Sequence, residues 1–242
     1  VRHEGGTYYG QNSISGNMIF VNRNKLLNGN CIVLGVSGGG KSFFVKEDFT
    51  AVFLSDDNAD IVIIDPEREY NLLVNALGGE VINISANSEN HINAMDMNKD
   101  YEDDKNPIAT KSEFIMSLCE QLIGGAVGPK DKSIIDRCCR SVYAEYIKSG
   151  YKGEPPTLKD FREELLQQKE IEAQELALAI ELFTDGSLNT FAQPTNVDIH
   201  NRLICYDILD LGEQLLPVGM LVVLDSILNR ITANRAKGRT TY

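Results

Sequence analysis

The sequence predicts an α/β fold: a parallel β-sheet that carries a phosphate-binding loop, with an all-α region inserted into it. Three observations predict it. The run Gly35-Val36-Ser37-Gly38-Gly39-Gly40-Lys41-Ser42 fits G-x-x-x-x-G-K-[ST] and opens a segment of helical pattern. Short apolar runs flank it, Cys31-Ile32-Val33-Leu34 before and Ile61-Val62-Ile63-Ile64 after, with the length and β-branched content of buried strands. From about Pro107 the strand signals give way to apolar residues at helical spacing. Consecutive helices without a strand do not build βαβ units. The expected division is therefore a core from residues 1–105 and 196–242, with residues 106–195 as an inserted all-α subdomain.

Residues 17–21 and 30–34 read as two strands separated by a turn containing Asn28-Gly29. The second leads into the glycine-rich loop. Glycines let a backbone bend until consecutive N–H groups converge on phosphate oxygens, where side chains at Gly38 or Gly40 would obstruct them. A helix starting near Lys41 adds its positive end. In such loops the lysine reaches the β- and γ-phosphates, and the next hydroxyl, here Ser42, ligates the magnesium ion that travels with the nucleotide. Phe43, Phe44 and Val45 begin the packing face of that helix.

Residues 61–64 form a buried strand ending in Asp65-Pro66-Glu67-Arg68-Glu69-Tyr70, where proline punctuates and acids gather at the carboxyl edge. In open α/β sheets that edge carries ligands. Residues 80–84 read as a third core strand and residues 91–97 as a further extended piece. Ile108, Phe114, Ile115, Leu118, Cys119, Leu122 and Ile123 form one helical stripe, and Ile134, Ile135, Cys138, Cys139, Val142, Tyr143, Tyr146 and Ile147 another. Thr157 with Asp160 resembles a helix start, and one further helix is expected over residues 171–184. The acids around Glu163, Glu164, Glu170, Glu172 and Glu175 read as a solvated face. Residues 202–206 return to strand, and a long helix begins near Glu213 with Pro217 in its first turn.

Composition narrows the function classes. A net charge of −12 argues against a broadly basic nucleic-acid surface. The cations Arg230, Arg235, Lys237 and Arg239 lie where the long helix ends and suit its negative end. Five cysteines without C-x-x-C pairing read as free thiols, and three histidines without H-E-x-x-H spacing do not suggest a metalloenzyme. No uninterrupted apolar run of membrane-spanning length and no signal-peptide pattern occurs, so a soluble, cytoplasmic chain is expected.

A nucleotide hydrolase needs an acid that organises magnesium, built on an apolar strand ending in Asp. Residues 61–65 qualify. Residues 221–225 qualify only superficially, because Leu221, Leu224, Leu228 and Ile231 keep helical spacing, which makes Asp225 a helix-surface acid.

Taken together, residues 17–34, the loop 35–42, the segment Ile64-Asp65-Pro66-Glu67-Arg68-Glu69-Tyr70 and His91-Ile92-Asn93 resemble the C-terminal ATPase domain of the VirB-class conjugal-transfer ATPases, which power type IV secretion. The resemblance covers nearly the whole chain. It implies a RecA-like P-loop NTPase core of the HerA/FtsK kind, ATP with Mg2+ as cofactors, and a homo-hexamer when full length. It also implies type IV secretion or conjugation components as partners, with DNA contact possible. The implied location is cytoplasmic and peripheral at the inner face of the cell membrane, reached only through partner proteins. Carried over by position, Gly35, Val36, Ser37, Gly38, Gly39, Gly40, Lys41, Ser42 and Phe43 bind the nucleotide, with Ser42 on magnesium. Lys41, Asp65, Glu67 and Glu69 are the candidate catalytic residues. Two roles stay open for the three acids: tuning magnesium or water, or capping the next helix and pairing with Arg68. Arg68 is read as a surface ion-pair partner, not an arginine finger.

In that family the segment like residues 234–242 leads into an apolar strand bearing Asp-Glu, and this sequence stops there. The expectation is a core truncated at its C-terminus that binds nucleotide, turns over little of it, and exposes a strand edge. Two alternatives remain: a DNA-translocating ATPase of the same superfamily, either a coupling protein or a DNA pump, and a non-hydrolysing nucleotide-dependent assembly module. A small-molecule kinase is a distant third, without an acceptor-site signature.

Overall fold

The computed structural model describes residues 2–99, 101 and 106–242. The boundary expected at residue 105 lies outside the described residues. The chain divides into two compact units, one of residues 1–61 with 240–242 and one of residues 62–239.

In the first unit, β1 (Thr7–Gln11) and β2 (Met18–Val21) form an antiparallel hairpin with a register shift between Tyr8 and Gly10. That bulge breaks the alternation by which β1 could have been recognised in the sequence. Helix α1 (Lys41–Ser55) turns its buried Asp48 toward the hairpin. The Asp48 carboxylate accepts from the Tyr9 hydroxyl at 2.7 Å and pairs with Arg23, whose Nε donates to the same hydroxyl at 2.8 Å. The first residues of β3 (Ala59–Asp65) pair in parallel with β6 (Thr240–Thr241), Ala59 opposite Thr240 and Asp60 opposite Thr241. The strand expected over residues 30–34 does not form. No described strand lies beside it to complete a ladder, and Ile32 and Leu34 stand 82% and 87% exposed.

In the second unit, β4 (Glu80–Asn83) runs parallel to β5 (Leu203–Asp207), and β3 lies on the other side of β5. With neighbours on both sides, β5 is buried along its whole length. Gly79 permits the close approach: a Cβ there would stand 2.7 Å from Leu203 Cγ and 2.8 Å from both its carbonyl oxygen and Val74 Cγ1. The short α2 (Asn71–Ala76) links β3 to β4. Among the described residues, five helices and no strand follow β4 before β5: α3 (Pro107–Ile123), α4 (Pro129–Lys148), α5 (Leu158–Gln167), α6 (Ile171–Ala179) and α7 (Glu181–Thr184). The centres of their apolar stripes are buried, Ile115, Leu118, Cys119 and Leu122 on α3 and Ile134, Ile135, Cys138, Cys139 and Tyr143 on α4, whereas Ile108, Phe114, Val142, Tyr146 and Ile147 are half-buried and Ile123, at the end of α3, is exposed. Helix α5 begins at the expected cap, Asp160 accepting from the Thr157 backbone at 2.7 Å and from its hydroxyl at 2.8 Å.

Three expectations are corrected here. The single helix over residues 171–184 is broken at Ile180, because Arg162 Nε takes the Ala177 carbonyl at 3.0 Å, the acceptor a continuous helix would offer to Glu181. The extended piece at residues 91–97 is an irregular loop. Its donors are satisfied by side chains and turns rather than a ladder, His91 N on Asn196 Oδ1 at 2.7 Å and Asn93 N on Thr195 Oγ1 at 2.8 Å. The long helix α8 (Gly212–Ala236) starts before Glu213, which puts Pro217 beyond the first turn. Helix α8 has the length and composition of a membrane-crossing helix, yet Leu215, Val218, Val222 and Val223 pack into the core shared with α3, α4 and β5.

Asp225 is also not the surface acid its helix position suggested. It is 8% exposed and receives Lys111 Nζ from α3 at 3.0 Å, together with the Tyr101 hydroxyl. The packing of α3 against α8 buries that side of the helix, and the acid is matched by a lysine with no exposure at all.

Candidate functional site

The predicted site residues lie in both units, the glycine-rich loop in the first and the acidic turn in the second. In the loop, Gly38 and Gly40 adopt left-handed backbone, φ 75° and 81°, which an L side chain disfavours. Nothing lies within 4 Å of where a Cβ would stand at either position, so that face of the loop is open. The turn is closed by Gly39 N donating to the Val36 carbonyl at 3.0 Å, and Lys41 Nζ folds back onto the same oxygen at 3.0 Å. Helix α1 starts at Lys41 with no side-chain cap and no acid in its first turn. Its first backbone bond runs from Phe44 N to the Gly40 carbonyl at 2.9 Å. The N–H groups of Lys41, Ser42 and Phe43 therefore precede the helical ladder and present the positive end of the helix. An open glycine cradle, an uncapped helix start, an ammonium and an adjacent hydroxyl form a donor set that fits a nucleotide's phosphates and their magnesium.

The acidic turn follows β3. Asp65 is 1% exposed, and its oxygens accept from Glu67 N at 3.1 Å and Tyr70 N at 2.9 Å, so it shapes the turn and leads the chain into α2. Glu67 and Glu69 are exposed, and neither carboxylate has an ion-pair partner among the described residues. Arg68 pairs with neither of them. It sits at φ 57°, and its guanidinium binds Asp207, at the end of β5, and Asp210.

Asp207 was legible in the sequence and passed over: Leu203-Ile204-Cys205-Tyr206-Asp207 is itself an apolar strand ending in an acid. It has no exposure, and four donors surround it: Arg68 Nε at 2.5 Å, Arg68 Nη2 at 3.3 Å, Asn71 Nδ2 at 2.7 Å and Leu209 N at 3.3 Å. Burial alone would push its carboxyl up, but the bonds from Arg68, Asn71 and Leu209 outweigh that and hold it below the usual carboxylate range. Reciprocally, the bonds to Asp207 and Asp210 raise the Arg68 guanidinium further above its ordinary value.

A sequence profile described as "Helicase HerA, central domain" matches residues 8–179. Among solved structures, VirB4 of Thermoanaerobacter pseudethanolicus superposes with a TM-score of 0.82 over 97% of this chain at 23% sequence identity, a likeness of fold. This chain covers 66% of that one. An uncharacterized protein of Aquifex aeolicus (strain VF5) is 35% identical over 52 residues, 22% of this chain and 19% of that protein. The mixed α/β architecture with its parallel sheet is thus the P-loop ATPase fold that the sequence predicted.

Proposed function

The chain belongs to the HerA central-domain family, and from that premise we propose that it is the nucleotide-binding part of an ATP-driven motor serving conjugative DNA transfer or type IV secretion. The observation that carries this reading is the loop of residues 35–42: two left-handed glycines followed directly by an uncapped, acid-free helix start. Backbone N–H groups of Gly38 to Phe43 would hold the phosphates, Lys41 would neutralise them, and Ser42 would hold Mg2+. Magnesium bound there supplies charge neutralisation to the phosphoryl group. Glu67 and Glu69, exposed on a fixed turn, are the acids we assign to tuning water or magnesium, while Asp65 shapes that turn.

Likeness of fold to a VirB4 structure agrees with the secretion setting; partners from that apparatus, a homo-hexamer and a cytoplasmic location at the inner membrane face are further parts of the proposal. The helicase in the family's description favours a second reading, a DNA-translocating ATPase of the same superfamily. Salt-sensitive, nucleotide-dependent DNA binding distinguishes the two. The test of the shared core is Mg-ATP binding by calorimetry: Lys41→Ala is expected to weaken affinity at least about tenfold, consistent with loss of a charge-assisted contact. Unchanged affinity would remove the loop from the site.

A further inference from the structure

We infer that Asp207 and Arg68 are positioning residues for the hydrolysis proposed above, a clamp that fixes the turn presenting Glu67 and Glu69; the inference rests on that reading of the site. The geometry lies wholly within the second unit. The turn is held at both ends and in its middle. At its start, the Asp65 carbonyl accepts from Ile208 N at 3.1 Å, tying the end of β3 to the residue after β5. At its finish, Asn71, the first residue of α2, donates to Asp207 at 2.7 Å. Between them, Arg68 adopts a left-handed backbone that an arginine does not favour by itself and that the surrounding contacts must sustain. Asp207 provides that anchor, and Asp210, in the turn between β5 and α8, adds a second carboxylate.

The direction of control follows from burial. Asp207 is fully buried on a strand enclosed on both sides, and it is saturated by four donors, so it offers nothing further to a metal or a water. Arg68 is its more accessible counterpart, with a side chain 37% exposed. The two glutamates on either side of Arg68 in sequence are the residues whose position the clamp dictates. Releasing Arg68 frees the left-handed residue to relax, and the carboxylates of Glu67 and Glu69 move with it. The expected effect is on turnover rather than on nucleotide affinity.

The test uses the full chain with ATP and Mg2+ and measures steady-state hydrolysis beside nucleotide affinity. Arg68→Gln is the first variant and Asp207→Asn, which removes the buried charge itself, the second; circular dichroism and nucleotide affinity establish that each is folded. Each is expected to lower kcat at least about tenfold with KM within twofold, the scale of a reacting group displaced by a fraction of an ångström. Arg68→Lys is expected to recover part of the loss. Combined with Glu69→Gln or Glu67→Gln, Arg68→Gln is expected to cost less than the product of the single effects, since it acts through those acids. Wild-type kcat in both Arg68→Gln and Asp207→Asn, or full multiplicativity with both glutamine variants, would overturn the inference while leaving the ATPase intact. Absence of turnover in the wild-type chain, with nucleotide still bound, would overturn the hydrolytic reading and this inference with it.

Discussion

The buried pair between Lys111 and Asp225 makes the sharpest stability prediction. Lys111 has no solvent exposure; its ammonium is 3.0 Å from Asp225 and stands over the rings of Phe114 at 4.2 Å and Tyr101 at 5.0 Å. Lys111→Met keeps the length of the side chain and removes the charge. Asp225, 9% exposed at its side chain, would then keep, among the described residues, the Tyr101 hydroxyl and a long contact from Asn229 at 3.5 Å. Stripping one partner from a buried pair costs about 3–5 kcal/mol, a large share of the ~5–15 kcal/mol that holds a domain together. Lys111→Met with Asp225→Asn removes both charges and leaves an acceptor for Tyr101, so the double variant is expected to be more stable than the single one. The assay is chemical denaturation followed by circular dichroism, with unchanged denaturant sensitivity as the control.

The same pair gives a pH signature. Burial lowers the Lys111 pKa, against the attraction of Asp225 and Asp96; Cys139, Tyr101 and Phe114 complete its surroundings. A lysine with a depressed folded value binds fewer protons than the unfolded chain between that value and about 10.4. Stability therefore rises with pH through that window, and the Lys111→Met variant is expected to lose that contribution to the slope. A single variant destabilised by less than ~1 kcal/mol, or no more stable when the Asp225 charge is also removed, would refute the assignment of an uncompensated buried charge.

Gly79→Ala would drive a Cβ to 2.7 Å from Leu203 Cγ and 2.8 Å from its backbone oxygen, so β5 must shift; a loss of about 1–3 kcal/mol by thermal denaturation is expected, and an unchanged melting temperature would contradict the close approach. Thiol labelling of the native chain at pH 8 is expected to modify Cys31 rapidly and the four buried cysteines slowly. Burial pushes Cys119 and Cys205 up to about 12 and Cys138 up to about 11, and raises Cys139 as well, which keeps them protonated and shielded. Rapid labelling of Cys119, Cys138 or Cys139 would show that the helical region opens, and of Cys205 that the sheet does.

Local rules settled much of this protein in advance. The glycine loop, the helix that begins at Lys41, the apolar stripes of α3 and α4 and the cap of α5 each depend on residues a few positions apart, so their spacing in the sequence is their geometry in space. Residues 30–34 show the limit of such rules, because a strand exists only by pairing with a neighbour the segment itself does not specify. Contacts between distant residues had no such spacing to betray them. Asp225 looked like a surface acid until α3 brought Lys111 across 114 positions, and Asp207 ended an ordinary apolar strand until Arg68 reached it across 139. What an ionisable side chain does is decided by what desolvates it and which opposite charge arrives beside it, and both are products of packing. The sequence alone thus determined where the glycine-rich loop and the helix that follows it lie; the tertiary structure decided which of its acids are anchors and which are left exposed.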